Sequence, residues 1–209
     1  MDNLKKTENS KKNLQEKSFP SGRTKIADAI KMLLENKDFN AITTAAIAKT
    51  AGVTEALIYK YFKDKRDLLI QVLVRYNEDF LSQLELDLKG IKGSLNKLRK
   101  LIWSTINCYA TNRVYAKILL LELRNFPEYF TSQGYEGIKA YSKIIKDIID
   151  EGINNGEIRT DLPSSFIRQV ILGAIEHICL PGIIFNREIL TDTLTDHLCD
   201  ILFKGLSPN

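Results

Sequence analysis

The sequence is poor in the residues that interrupt helices or cross-link chains. Five prolines and eleven glycines in 209 residues leave long stretches free to stay helical, since proline removes an amide donor and glycine weakens a helix interior. Three cysteines, Cys108, Cys179 and Cys199, form an odd set without CxxC spacing, so reduced thiols in a cytoplasmic protein are expected rather than a disulfide framework or a thiolate metal site. The only histidines stand in His177-Ile-Cys179 and His197-Leu-Cys199. Residues two apart on a helix do not share a face, so neither pair clamps a metal. The richest apolar stretch, 170–185, contains Glu176, His177 and Pro181, which argues against a membrane span of roughly 20 apolar residues. No apolar segment follows the lysine-rich start, so no secretory signal is expected. P-loop, dinucleotide, nucleophile-elbow and HExxH patterns are missing. No enzyme activity and no cofactor are therefore expected.

What is present is an uneven charge. Residues 1–66 carry 14 Lys/Arg against 8 Asp/Glu, and residues 67–209 carry 16 against 18, so balances of +6 and −2 lie behind the net +4. A basic first third suits a polyanionic partner, because neutralising phosphates releases counterions.

Residues 1–20 are polar and aperiodic and read as a disordered basic arm. From Gly22 the pattern turns helical: Ile26, Ala27, Ile30, Leu33 and Leu34 share one face and stop near Asn36–Lys37. The stretch 43–62, TTAAIAKTAGVTEALIYKYF, then gives two short helices around Gly52-Val53-Thr54. Thr43 is placed to cap the first, Gly52 supplies turn freedom, and Thr54 is placed to cap the second. Ile58, Tyr61 and Phe62 are spaced to pack inward, leaving Glu55, Ala56, Tyr59 and Lys60 outside. Such a helix-turn-helix sets its second helix into the major groove of DNA. Asp64 and Asp67 open a helix of about six turns, which ends at Gly90 and Gly93.

The remainder reads as helices alone: 95–112, 115–124 closed by Phe126-Pro127, 135–154 ended by Asn155-Gly156, one opened by Pro163 and interrupted at Pro181-Gly182, and 187–204. No segment alternates strictly enough for a strand. The fold class is therefore all-α. A three-helix helix-turn-helix domain at 21–66 is joined by a long helix to a helical domain at 67–209.

Residues 23–74 closely resemble the DNA-binding domain of the TetR family of bacterial transcriptional regulators. The resemblance rests on Arg23, Ile26 and Ala29, on Phe39, and on Thr43, Ile47-Ala48 and Ala51-Gly52-Val53-Thr54. It continues through Tyr59-Lys60-Tyr61-Phe62, Lys65 and Leu68-Leu69. Beyond about residue 80 only the helical layout and the 151–159 stretch are similar. Two positions depart from the family pattern: Ala56 stands where Gly is frequent, and Leu57 where a small or hydroxylated residue is frequent. The resemblance implies a homodimer on a pseudo-palindromic operator. It also implies a repressor released when a small molecule enters the C-terminal domain and moves the long helix.

Under that resemblance Tyr59 and Tyr61 are expected to reach phosphates. Thr43 offers its hydroxyl and Lys65 its charge and nearby amides to the backbone. Thr54, Glu55, Ala56 and Lys60 are the candidates for reading bases. For Glu55, stabilisation of the helix N-terminus is an equal alternative.

In the C-terminal domain, Trp103, Ile106, Asn107 and Ala110 share one helical face, as do Tyr141 and Ile145. They are candidate lining for an apolar pocket with a few polar anchors, or plain core. The Ile, Leu, Trp and Tyr content leans towards a lipophilic effector. Val170, Gly173, Ala174 and His177, with Leu194, Leu198 and Ile201, are spaced to form a four-helix dimer seam. The competing expectation is an architectural DNA binder or interaction protein without a ligand, which a filled C-terminal core would favour.

Overall fold

The computed structural model describes residues 21–207; the arm at 1–20 lies outside them. Two compact units divide between Lys65 and Arg66, and every regular element among the described residues is helical.

The first unit contains α1 (Ser21–Asn36), a 3-10 turn (Phe39–Ala41), α2 (Thr44–Ala51) and α3 (Glu55–Tyr61). Its core is built from Ile26, Ala29, Ile30 and Leu34 of α1, Phe39, Ile42, Ile47, Ala48, Ile58 and Phe62. Each fully buried Ile or Phe contributes about 1.5–3 kcal/mol of burial, so three helices this short are held by their shared core rather than by helix propensity. Thr43 caps α2, its hydroxyl accepting from the Ala46 amide at 3.1 Å. Gly52 ends α2 in the left-handed region at φ 65°, ψ 38°, a conformation a β-carbon would oppose. Thr54 stands at the expected position before α3, but its side chain makes no capping hydrogen bond. Leu57, the departure from the family pattern, is seated on Gly22, where a β-carbon would come within 3.0 Å of its Cδ2.

Helix α4 (Lys65–Leu88) leads into α5 (Ser94–Thr111), α6 (Arg113–Lys117), α7 (Gln133–Asn154), α8 (Ser164–Ile184) and α9 (Thr191–Leu206). The second unit's core is shared by α5, α7, α8 and α9, through residues such as Leu98, Ile102, Ile145, Ile149, Ile171, Ile175 and Cys199. Helix α5 starts on an acidic cap from far along the chain: the Glu157 carboxylate accepts from the Ser94 amide at 2.7 Å.

Three elements differ from the sequence reading. The helix expected over 115–124 changes pitch twice, from α6 into a π turn (Ile118–Glu122) and a 3-10 turn (Leu123–Asn125). Ile118, Leu119, Leu120 and Leu123 are all buried, and one regular α-helical stripe would not turn three consecutive residues inward. Helix α8 is not interrupted at Pro181 but runs on to Ile184. Proline removes one amide donor and crowds the carbonyl four residues back, but Pro181 stands in the last turn, which closes through the Phe185 amide to the Pro181 carbonyl at 3.1 Å. Arg113 then fastens the exit, donating to Gly182 O, Asn186 Oδ1 and Arg187 O. With the Arg187 carbonyl so occupied and Asn186 at φ 52°, the last helix starts at Thr191 rather than Arg187.

By length and composition α8 suffices to cross a membrane. Here it buries Ile167, Ile171, Ile175 and Cys179, and its Glu176 pairs with both terminal nitrogens of Arg124.

Candidate nucleic-acid interface and ligand cavity

Helix α3 is sorted by its own periodicity. Ile58 and the following Phe62 are buried, whereas Thr54, Glu55, Ala56, Tyr59 and Lys60 are exposed. Tyr59 is 56% exposed, so its ring contributes little to the core and its phenol is available. Tyr61 is half-buried against Phe62, with ring centroids 6.4 Å apart, and the Lys60 ammonium lies 5.9 Å from the Tyr61 ring centre. Glu55 is partly engaged: its Oε2 accepts from the Thr44 hydroxyl at 2.7 Å, tying the start of α3 to the start of α2. Thr44 went unnoticed in the sequence because its partner is eleven residues on.

Lys65, expected to clamp a phosphate with its charge and the nearby amides, has its ammonium engaged within the unit. Its ammonium donates to the carbonyls of Phe39 and Ile42, both at 2.7 Å, and lies 4.2 Å from the Phe39 ring centre. The charge thus satisfies the ends of the 3-10 turn before α2. Its acceptors are 23 and 26 residues away, beyond the reach of local pattern.

The second unit holds a small cavity lined by Asn77, Phe80 and Leu81 of α4, Thr105, Cys108 and Tyr109 of α5, Tyr115, Leu119, and Gly137, Ile138 and Tyr141 of α7. Its free space is about 20 Å³, room for about one water. Two polar pairs stand in this otherwise apolar wall. Tyr141 and Thr105 hydroxyls are 2.6 Å apart. Tyr115 donates to Asn77 Oδ1 at 2.9 Å, while Asn77 Nδ2 donates to Gly134 O at 3.0 Å. Burial pushes the Cys108 thiol up to about 12 and raises the phenols of Tyr109, Tyr115 and Tyr141. All four stay neutral at physiological pH, and no charged side chain lines the space.

Of the pocket candidates, Tyr141 reaches this cavity. Ile106 and Ile145 are fully buried in the core and, like Asn107, are not part of the wall. Trp103 lies in a separate open groove with Ile91, Asn96, Arg99, Lys100, Asp192, Thr195 and Asp196. Its indole donates to Asp192 at 2.7 Å, and the Lys100 ammonium stands 4.2 Å from its ring centre.

The seam candidates divide. Val170, Gly173 and His177 are exposed along α8, Ile201 is 70% exposed on α9, and Ala174 and Leu194 are intermediate. Leu198 is turned into its own subunit instead, only 7% exposed. The structure adds Phe166, Pro181, Ile184, Phe185 and Leu190, all exposed. On α8, residues 166, 170, 173, 177, 181 and 184 recur at spacings of three and four, which makes a single stripe. Among the described residues no group of three His, Cys, Asp or Glu is arranged to hold a metal.

A helix-turn-helix unit with an outward polar α3, followed by a helical unit enclosing a cavity, defines a class of ligand-responsive DNA-binding proteins. Residues 26–72 match the family described as bacterial regulatory proteins, tetR family. Residues 75–204 match the YsiA-like C-terminal region. The chain belongs to the TetR family of bacterial regulatory proteins and is a DNA-binding transcriptional regulator. Among its relatives is the fatty acid metabolism regulator protein of Bacillus subtilis (strain 168), 28% identical over 181 residues, which are 87% of this chain and 93% of that one. The crystal structure of the transcriptional regulator FadR from Bacillus subtilis in complex with stearoyl-CoA superposes with a TM-score of 0.79 at 28% identity, covering 88% of this chain and 98% of that one. The fold is shared too with the fatty acid degradation regulator FadR from Bacillus halodurans, with a TM-score of 0.81 at 24% identity over 91% and 98% of the two chains.

Proposed function

We propose that this protein is a cytoplasmic repressor that binds a pseudo-palindromic operator as a homodimer and is released by a long-chain acyl-CoA. Residues 21–66 are its DNA-reading domain and 67–209 its effector and dimerisation domain. Lys60 and Glu55 read base edges, and Thr43, Tyr59 and Tyr61 hold the phosphates on either side. Two copies of the α8–α9 face pair through Phe166, Val170, Ile184 and Ile201. The observation that carries the effector assignment is the cavity, whose wall has apolar and neutral hydrogen-bonding groups but no cation. Such a wall accepts an acyl chain and a thioester and disfavours an ionised carboxylate. The likeness to a regulator solved with stearoyl-CoA supports the same class.

At about 20 Å³ the cavity is closed to an acyl chain, whose binding sites run to roughly 300–1,000 Å³. Entry therefore requires the helices around it to separate, which couples binding to a change of shape. The same small volume favours a second reading, a DNA binder without a small-molecule ligand. Mobility shifts with the DNA upstream of the protein's own gene decide between them. Stearoyl-CoA should abolish the shifted band while coenzyme A alone and stearate leave it. An unchanged band with every acyl thioester from eight to eighteen carbons would overturn the repressor-release reading.

A further inference from the structure

We infer that Asn77 is the positioning residue through which the cavity controls helix α4. The inference rests on the acyl-CoA reading for its physiological trigger but stands on geometry of its own. Asn77 is 4% exposed, in the middle of a 24-residue helix that begins at Lys65, the last residue of the first unit. Its carboxamide is used at both ends. The amide nitrogen reaches Gly134 O at the start of α7, and the oxygen takes the phenol of Tyr115 on α6. The same side chain forms part of the cavity wall. It is thus the one wall residue of α4 that a polar network ties to two other elements.

Gly137 shows how closely the latch is fitted. A β-carbon there would stand 2.6 Å from Asn77 Nδ2, 2.8 Å from its Cβ and 3.0 Å from its Cγ. Helices α4 and α7 therefore meet at Asn77 with no space for one methyl group. Tyr115, Gly137 and Asn77 all line the cavity, and a ligand that parts them there strains both Asn77 hydrogen bonds. A thioester oxygen can accept from the Tyr115 hydroxyl or from the Asn77 amide nitrogen, in competition with Asn77 Oδ1 and Gly134 O. The second polar pair, Thr105 and Tyr141, borders the same cavity from α5 and α7 and makes no hydrogen bond to α4, which Tyr141 meets only through its ring, edge-on to Phe80 with centroids 5.6 Å apart. It contributes to holding a ligand and not to holding the helix.

The two pairs make a controlled experiment on the full-length protein. Tyr115→Phe and Tyr141→Phe each delete one buried hydroxyl from one cavity and keep the ring, so a merely structural effect would lower thermal stability in both. Without effector, Tyr115→Phe is expected to bind the upstream DNA about tenfold more weakly, the equivalent of one buried hydrogen bond. Tyr141→Phe should bind it like wild type and respond to stearoyl-CoA with a shifted half-point. Hydrogen exchange, which needs neither DNA nor effector, should be faster in the central turns of α4 in Tyr115→Phe and unchanged there in Tyr141→Phe. Equal α4 exchange in the two variants, or equal loss of DNA affinity, would overturn the role of Asn77 even where stearoyl-CoA releases the wild type. Selective exchange in α4 without release by any acyl-CoA would uphold the latch and reject the effector.

Discussion

The two units present opposite surfaces. Among the described residues the first unit exposes only Met32 and Tyr59 of its large apolar side chains, and Tyr59 carries a polar tip. The second exposes Phe166, Val170, Ile184, Phe185, Leu190 and Ile201 along α8, its exit and α9. The contrast extends inward. Among the described residues, the first unit is filled by aliphatic side chains and Phe, with no polar residue among its buried ones. The second buries Asn77, Ser94, Ser104, Thr105 and Thr195. The first unit is packed with apolar side chains alone, while the second keeps buried polar pairs, the feature its proposed change of shape calls on.

The largest test of this contrast is a charge in the apolar stripe. Val170→Glu places two carboxylates face to face in a paired seam, where like charges cost several kcal/mol. Ultracentrifugation should show a monomer at concentrations where the wild type is dimeric, and operator affinity should fall by about a hundredfold or more. A dimer that survives Val170→Glu moves the seam off α8.

Next in size is Lys65, where two roles make opposite forecasts. The structure spends its charge on two carbonyls, and hydrogen bonds from a charged group contribute about 1.5–3 kcal/mol. Lys65→Met should therefore lower stability in urea by about 2 kcal/mol and leave the salt slope of DNA binding unaltered. A slope reduced by about one, with stability intact, would return Lys65 to the phosphates. Lys60→Ala should do the reverse. Stability stays the same, while discrimination among operator variants relaxes by about 1–2 kcal/mol at one position.

How far the sequence is readable follows the same division. Thr43, Gly52, Ile58 and the exposed face of α3 are set by neighbours within four residues, and the caps and periods that fix them are printed locally. The family pattern then supplies the rest of the first unit. Lys65 is less legible, because charge near a helix start suits a phosphate as well as a carbonyl, and its acceptors are remote. In the second unit the deciding contacts span 36 residues for Thr105–Tyr141 and 57 for Asn77–Gly134. Helix α5 is buried on more than one side, so its amphipathic pattern does not single out a face. Trp103 turns towards Asp192, and residues 105, 108 and 109 turn towards the cavity. Nor does hydropathy separate Val170, apolar and exposed, from Ile171, apolar and buried. Only the helix phase in three dimensions does.

The smallest expected effect concerns the far end of α4, held by an ionised group where Asn77 is neutral. Burial acts to raise the Asp87 carboxyl. Hydrogen bonds from Ser104 and Gln83 and the Lys100 ammonium outweigh it, and the group titrates below its ordinary 3.8. Ser104 donates at 2.7 Å, and Lys100 lies 3.4 Å away. As pH falls, the unfolded chain takes up this proton first, so it binds more protons than the folded one and stability drops. The contribution is fully present above about pH 3.8 and disappears as pH falls through the lower folded value. Asp87→Asn keeps an acceptor for Ser104 but removes the titration. In urea titrations the stability difference between wild type and Asp87→Asn should be constant from neutral pH to about pH 5 and shrink below about pH 4. A difference that instead varies between pH 6 and 8 would assign the pH dependence to another group and leave the Ser104–Lys100 anchor of α4 without electrostatic weight.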